Sequence, residues 1–305
     1  MRIALFTPTF LPLVGGTEVV TDALARHWNR MGHPAVVVAL TKSPERPELP
    51  YPVVWWRRPH GLQWFPERTA AALQEAHRRH HFDVFCVNYG HPTGYGAVKL
   101  GRKLGIPTVV VSHGGDLYRG GKDRLRRHTW KRICYAYQNA DGLVSISPYI
   151  EELIREINPA PRHLVTIPNG VDMAGLREAA TRPADFACQR PFLLCLGNLN
   201  DRKGFGDAIA AYARVKTTVP DLPALVVVGD GALRGPLEAQ AAGLGLGQDS
   251  FFMGCRTGND KRWFMQNCRF GLMPSLQEGH PVVGLEYLAL GKPIICSTNR
   301  AFDAM

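Results

Sequence analysis

The sequence predicts an α/β chain built as two doubly wound parallel sheets, and three observations carry that expectation. Short apolar runs of strand length alternate with helical periodicity along the chain, the arrangement of repeated β-α units. The runs are apolar at successive positions, as in strands buried on both faces. The alternation is interrupted once, where residues 173–190 hold Pro183 and no clear strand. This divides the 305 residues into a first domain over 1–170, a linker over 171–190 and a second domain over 191–305.

In the first domain the apolar run at 2–7 opens the series. A turn-rich loop over 8–16 follows, then a helix over about 17–31 with Val20, Leu24, Trp28 and Met31 on one face. Gly15 and Gly16 precede that helix, where unpaired N–H groups and the positive dipole end let a ligand approach; a plain tight turn is the alternative. The pair is not G-x-G-x-x-G, so the dinucleotide fingerprint is absent. Further strands are expected at 35–40, 53–56, 82–87, 107–112, 142–146 and 164–167, with helices over about 67–80, 93–104, 125–139 and 148–157. The strand at 107–112 runs into Ser112, His113, Gly114, Gly115 and Asp116. A His at a strand's carboxyl end lies where such sheets bind ligands, so His113 is a candidate, weighed against a purely structural role.

The second domain repeats the pattern, with strands expected at 192–196, 225–228, 250–253, 270–273 and 292–296. The first is followed by a loop containing Asn198, Arg202 and Lys203 and by a helix to about Thr217. A cation near a helix start opposes the dipole unless an anion is bound, which makes Lys203 a candidate anion ligand; a solvated Arg-Lys pair is the alternative. The strand at 270–273 feeds a polar loop that carries Glu278, Gly279 and His280. Pro281 and Val282 then open a helix, which Gly291 and Pro293 close. Eight positions separate Glu278 from Glu286, about 12 Å of helix. That exceeds the roughly 5–9.5 Å between the carboxyls of a glycosidase pair. Two carboxylates flanking a helix start that favours an anion such as a phosphate suit hydroxyl binding on either side of it; a solvated loop Glu and a surface helix Glu are the alternative.

The composition narrows the function classes. No apolar run approaches the ~20 residues of a membrane span, and residue 1 leads directly into a strand pattern without a signal peptide, so a cytoplasmic protein is expected. The seven cysteines are scattered without a C-x-x-C pair, which argues against a zinc site or a disulfide framework. Residues 1–170 hold 22 Lys/Arg against 13 Asp/Glu, whereas 171–305 hold 14 against 13. Within the basic half, residues 119–132, from Arg119 to Arg132, carry seven Lys/Arg and one Asp beside Leu125 and Trp130. Such a segment either lies on an anionic membrane or forms a solvated helix face. No recognised nucleic-acid-binding module is present, so no nucleic-acid partner is expected.

The stretch from Glu278 to Glu286 resembles the E-x7-E signature of the family-4 retaining glycosyltransferases, and Ile167, Pro168, Asn169, Gly170, Val171 and Asp172 resemble the turn entering that family's hinge. The resemblance runs through most of the chain and implies the GT-B fold, here with the second domain apparently truncated at its C-terminal end. It implies a retaining transfer from a nucleotide-diphosphate sugar to a saccharide or lipid-linked acceptor, with no metal and no other cofactor. Carried onto this sequence, the catalytic candidates are His113, Lys203 and Glu278. The donor-binding candidates are Gly15, Gly16, Arg202, Lys203, Gly254, Cys255, Glu278, Gly279, His280, Pro281, Val282 and Glu286, with Gly254 and Cys255 in the nucleobase turn. Asn198 stands where the family usually has an Arg on the diphosphate. The basic first half fits an anionic or membrane-embedded acceptor and a peripheral position on the inner face of the plasma membrane. A non-catalytic sugar-nucleotide binder and a sugar-nucleotide epimerase or hydrolase are the alternatives.

Overall fold

The computed structural model describes residues 1–41, 43, 45–57, 67–118 and 127–305. The chain forms two compact units, Met1–Asn169 and Gly170–Met305, each with its own parallel sheet.

The first unit holds β1 (Ile3–Thr7), α1 (Gly16–Arg30), β2 (Ala35–Thr41), β3 (Val53–Arg57), α2 (Glu67–His80), β4 (Val84–Asn88), α3 (Tyr95–Leu104), β5 (Thr108–Ser112), α4 (Arg127–Asn139), β6 (Gly142–Ser145), α5 (Pro148–Ile157) and β7 (Leu164–Thr166). Its seven strands lie in the order β3-β2-β1-β4-β5-β6-β7, with parallel pairing throughout. Alternation along β1 sends Ile3 and Leu5 to one core and Ala4 and Phe6 to the other. Helices cover both faces, so the strand has no polar side, which is why it reads as an unbroken apolar run.

The second unit holds α6 (Met173–Arg177), β8 (Phe192–Leu196), α7 (Phe205–Lys216), β9 (Ala224–Val228), α8 (Arg234–Gly243), β10 (Ser250–Phe252), α9 (Gly258–Asn267), β11 (Gly271–Met273), α10 (Val282–Ala289) and β12 (Ile294–Cys296). The strand order is β10-β9-β8-β11-β12, again parallel. Phe192, Leu194 and Leu196 face one core while Leu193 and Cys195 face the other.

The strand order reverses between β1 and β4 in the first sheet and between β8 and β11 in the second. Loops at the carboxyl ends of these pairs therefore diverge and leave a crevice, the usual ligand position in doubly wound sheets.

The structure departs from the sequence reading at two places, and a third lies partly outside the described residues. The segment 171–190 is not a bare tether, since α6 forms within it and Phe186 and Cys188 are buried in the second unit's core. The helix expected from residue 93 starts at Tyr95, because a π-type turn, Gly90–Gly94, precedes it. Residues 119–126 lie outside the described residues, so of the basic segment only 127–132 is placed, in the first turns of α4.

Candidate active site

Of the candidate residues of the second unit, Lys203 and Glu278 are brought together at the β8/β11 switch, whereas Gly254 and Cys255 follow the edge strand β10. The loop after β8 contains a single 3-10 turn, Asp201–Lys203, capped by the Asn200 side chain, which accepts from the Arg202 N–H at 3.1 Å. Gly204 then turns the chain into α7 with φ +64°, and a β-carbon there would collide with the Pro274 carbonyl. The close approach is reinforced by the Leu276 N–H, which donates to the Arg202 carbonyl at 2.8 Å. A lysine and a carboxylate 75 residues apart are thereby brought together, and Lys203 Nζ donates to Glu278 Oε1 at 2.6 Å.

This pair revises the sequence argument for Lys203. The anion that compensates a cation at that helix start is Glu278 of the chain itself, with both side chains largely withdrawn from solvent. The solvated Arg-Lys pair is not observed either, because only Arg202 is exposed. Asn198 is exposed too.

Helix α10 starts one residue after Pro281, and no side chain caps it. The Gly284 and Leu285 N–H groups donate back to the Pro281 carbonyl, at 3.0 and 3.2 Å. The helix thus presents its positive end beside the Lys203–Glu278 pair without a built-in anionic cap. His280 is buried, and burial lowers its pKa against the opposing effect of a hydrogen bond to the Ala304 backbone. At neutral pH it is uncharged, so the fixed positive charge at this site comes from Lys203.

Glu286 lies one turn further along and is 7% exposed. Its Oε1 accepts from Lys261 Nζ at 2.6 Å, while Oε2 is buried with no hydrogen-bond partner among the described residues. Both acids of the E-x7-E stretch are therefore paired with a lysine, a feature not read from the sequence. The turn with Gly254 and Cys255 is braced from below. The Gly229 N–H donates to the Gly254 carbonyl at 2.8 Å, and Arg256 bonds the Met253 carbonyl and Asp260, leaving the Cys255 thiol exposed.

The first unit gathers a polar cluster at its own switch. Gly15 is the N-cap of α1 and Gly16 its first residue; Gly15 has φ −148°, ordinary extended backbone, and no side chain caps the helix. Inside that helix start, Thr17 Oγ1 lies 2.6 Å from the Tyr89 hydroxyl, and the Tyr89 ring lies 5.2 Å from the His113 ring. Asn88 Nδ2 donates to Thr21 Oγ1 at 2.8 Å, which turns Asn88 Oδ1 toward His113 Nε2, 3.0 Å away. That arrangement puts the ring proton on Nε2 and leaves Nδ1 the acceptor nitrogen. Burial lowers the His113 pKa to about 4, so the imidazole is neutral at pH 7.

Behind this cluster sits Asp116, which accepts from the Gly90 N–H at 2.6 Å and from the Tyr137 hydroxyl at 3.3 Å. Desolvation raises its pKa to about 6, against these hydrogen bonds. It braces the turn that follows Tyr89, a non-glycine residue at φ +66°. Thr17, Tyr89 and Asp116 were not picked out by sequence reasoning. The only sequence signal is that each flanks a glycine loop or a strand end.

Comparison with protein families matches residues 14–174 to the model "Glycosyltransferase Family 4", more than half of the chain. The chain belongs to glycosyltransferase family 4. A second model, "Glycosyl transferases group 1", matches residues 177–303. The first match covers the unit with His113, and the second covers the unit with Lys203, Glu278 and Glu286.

Among curated proteins, this family-4 chain is 28% identical over 229 residues to the N-acetylgalactosamine-N,N'-diacetylbacillosaminyl-diphospho-undecaprenol 4-alpha-N-acetylgalactosaminyltransferase of Campylobacter jejuni. That match covers 67% of this chain and 60% of the relative. It is 23% identical over 323 residues to the alpha-monoglucosyldiacylglycerol synthase of Streptococcus pneumoniae, covering 98% of this chain and 71% of that protein. The chain thus spans less than two thirds of the first relative. Among solved structures, Anabaena Alr3699/HepE in complex with UDP-glucose superposes with a TM-score of 0.74 at 19% identity, covering 99% of this chain and 82% of the other. The two parallel Rossmann-like sheets are those of the GT-B glycosyltransferases. Among the described residues no helix is long and apolar enough to cross a membrane.

Proposed function

We propose that this chain carries out retaining glycosyl transfer from a nucleotide-diphosphate sugar to a saccharide or lipid-linked acceptor, without a metal ion. The observation that carries the reading is the Lys203–Glu278 pair at 2.6 Å beside the uncapped start of α10, at the switch point of the second sheet. The bond from the anomeric carbon to the diphosphate breaks through an oxocarbenium-like state, and negative charge collects on the departing phosphate oxygens. A fixed cation and main-chain N–H groups stabilise that charge without reorganising. Lys203 and the turn through Gly279, His280, Pro281 and Val282 take this role, with Arg202 as a further cation. An acceptor hydroxyl attacks from the face the diphosphate leaves, and its proton passes to the departing phosphate oxygen.

Glu278, relieved of Lys203 when the diphosphate takes over the lysine, is assigned to the sugar hydroxyls. His113, neutral and with Nδ1 as an acceptor, is assigned to a hydroxyl of the transferred sugar rather than to nucleophilic attack. Glu286 is assigned to the ribose, Gly254 and Cys255 to the nucleobase, and Gly15 and Gly16 to shaping the donor site. The sugar nucleotides and lipid-linked acceptors named for the relatives support these substrate classes.

Two measurements test the reading. UDP-, GDP- and ADP-sugars are compared by thermal shift, where a ligand at 100 times its Kd adds about 2.7 kcal/mol of stability. The donor that binds is then assayed for transfer to lipid-linked and free saccharides. Retention at the anomeric centre and insensitivity to chelators are expected. Binding without turnover would instead leave a sugar-nucleotide-binding protein, the reading favoured by Asn198, and donor hydrolysis without acceptor would leave a hydrolase. For the basic segment through α4, sedimentation with anionic vesicles is expected to exceed that with neutral ones; equal partitioning would remove the membrane assignment.

A further inference from the structure

Lys261 has no part in the reaction described above, yet it occupies one oxygen of Glu286. It projects from α9, a helix fixed to its surroundings at several points. Asn259 bonds the Thr181 backbone, Arg262 bonds the Gly175 carbonyl and Glu178, and Gln266 bonds the Leu176 and Glu178 carbonyls. Glu286 projects from α10, which is anchored by the next residue, Tyr287, whose buried hydroxyl donates to the Leu194 carbonyl at 3.2 Å. The ion pair thus joins two immobilised helices, with side chains 24% and 10% exposed.

The two oxygens of Glu286 are treated differently. Oε1 is held by the ammonium, and Oε2 is buried with no donor among the described residues. A buried carboxylate oxygen without a donor is unfavourable, and nearly all such groups in folded proteins find one. Were the pair only a strut between α9 and α10, both oxygens would be expected to be engaged or solvated. The asymmetry suits a carboxylate that is clamped on one side and reserved for a ligand donor on the other.

We propose that Lys261 is a positioning residue for nucleoside recognition: it clamps Glu286 through Oε1 so that Oε2 takes a ribose hydroxyl of the nucleoside diphosphate. The inference rests on the assignment of Glu286 to the ribose, and it adds a specificity determinant. A ribonucleotide has the donor that Oε2 lacks, whereas a 2'-deoxyribonucleotide leaves the clamped oxygen short of a partner.

The test is calorimetric titration of UDP, GDP and ADP, then of the 2'-deoxy counterpart of the one that binds, against the wild-type chain, Lys261→Met, Lys261→Arg and Glu286→Gln. The wild type is expected to prefer the ribonucleotide by about tenfold or more, the worth of a hydrogen bond to a charged group. Lys261→Met should lose about tenfold in ribonucleotide affinity, keep its 2'-deoxy affinity, and so lose the preference. Lys261→Arg should retain most of it, and Glu286→Gln should resemble Lys261→Met. An equal loss for both nucleotides in Lys261→Met, or no loss, overturns the proposal in favour of a strut. A wild type that binds without ribose preference overturns it while leaving the donor-binding reading intact. A wild type that binds none of the three takes down that reading and this inference together. Should Lys261→Met fail to fold, the Lys261→Arg and Glu286→Gln ratios decide the question.

Discussion

His113 and Asp116 are three residues apart and titrate abnormally in opposite senses for one physical reason, loss of solvent. Burial disfavours the charged form of each, which lowers the imidazole from 6.5 to about 4 and raises the carboxyl from 3.8 to about 6. Between about pH 3.8 and 6 the folded chain holds a proton on Asp116 that the unfolded chain releases, so this group's contribution to stability is lost as pH rises through that window. His113 acts in reverse. Between about pH 4 and 6.5 the unfolded chain binds a proton that the folded chain does not, so stability is gained as pH rises. Each contribution is about 3 kcal/mol, and the two nearly cancel. Asp116→Asn should therefore become more stable relative to wild type as pH goes from 4 to 6, and His113→Gln less stable. Urea unfolding at stepped pH measures both, and profiles parallel to wild type would contradict the assigned protonation states. Lys203 allows a second prediction of this kind. Lys203→Met should lower turnover about 10²–10³-fold by removing the fixed cation, and should destabilise the fold by about 2 kcal/mol because Glu278 is left unpaired. Adding Glu278→Gln should restore the stability and not the turnover.

At the scale of elements, the glycines at the loop crossings carry the geometry. Gly204 and Gly291 both have left-handed backbones, at φ +64° and +65°, yet a β-carbon at Gly204 meets the Pro274 carbonyl whereas one at Gly291 meets open space. Gly291→Ala should cost only the backbone term, about 1–2 kcal/mol, and Gly204→Ala that term plus the collision, about 3 kcal/mol or more. Equal losses in chemical denaturation would mean that the 204/274 crossing gives way freely. Sequence legibility divides along the same line. β1, β8 and β9 were readable because both faces are buried and the runs are apolar throughout. The closing turn of α10 was readable because Gly291 needs positive φ. Helix α6 was missed because its five residues bury no side chain and so leave no apolar stripe. The pairing of Lys203 with Glu278 was missed because the backbone bond that aligns them, from Leu276 to Arg202, joins loops on different strands and has no local signature. The two acids were singled out together from their spacing, but their lysine partners come from elements elsewhere in the chain. Asp116 was passed over because what makes it unusual is burial in the folded chain, which its own neighbours in sequence do not signal.

For the whole molecule, the two units enclose separate cores, and the residues assigned to the diphosphate, ribose and base all belong to the second. A nucleoside diphosphate added without acceptor should then protect a defined set of backbone amides from exchange with deuterated solvent. Stabilisation by a ligand follows its free concentration and its preference for the folded form, and at 100 times Kd amounts to about 2.7 kcal/mol, roughly a hundredfold slowing for amides that exchange only by unfolding of the unit that binds it. The largest effect is expected in the loop over residues 197–204, in the turn over 274–281 and at the start of α10, where the ligand itself shields N–H groups. A smaller, uniform effect is expected in β8, β9 and β11. In the first unit, β1, β4 and β5 should exchange at an unchanged rate with the nucleotide alone. Protection centred instead on Gly15, Gly16 and the loop after β5 would move the phosphate-binding role to the other sheet's switch point, where the same geometry of diverging loops and an uncapped helix start exists but, among the described residues, no lysine pairs with a buried acid.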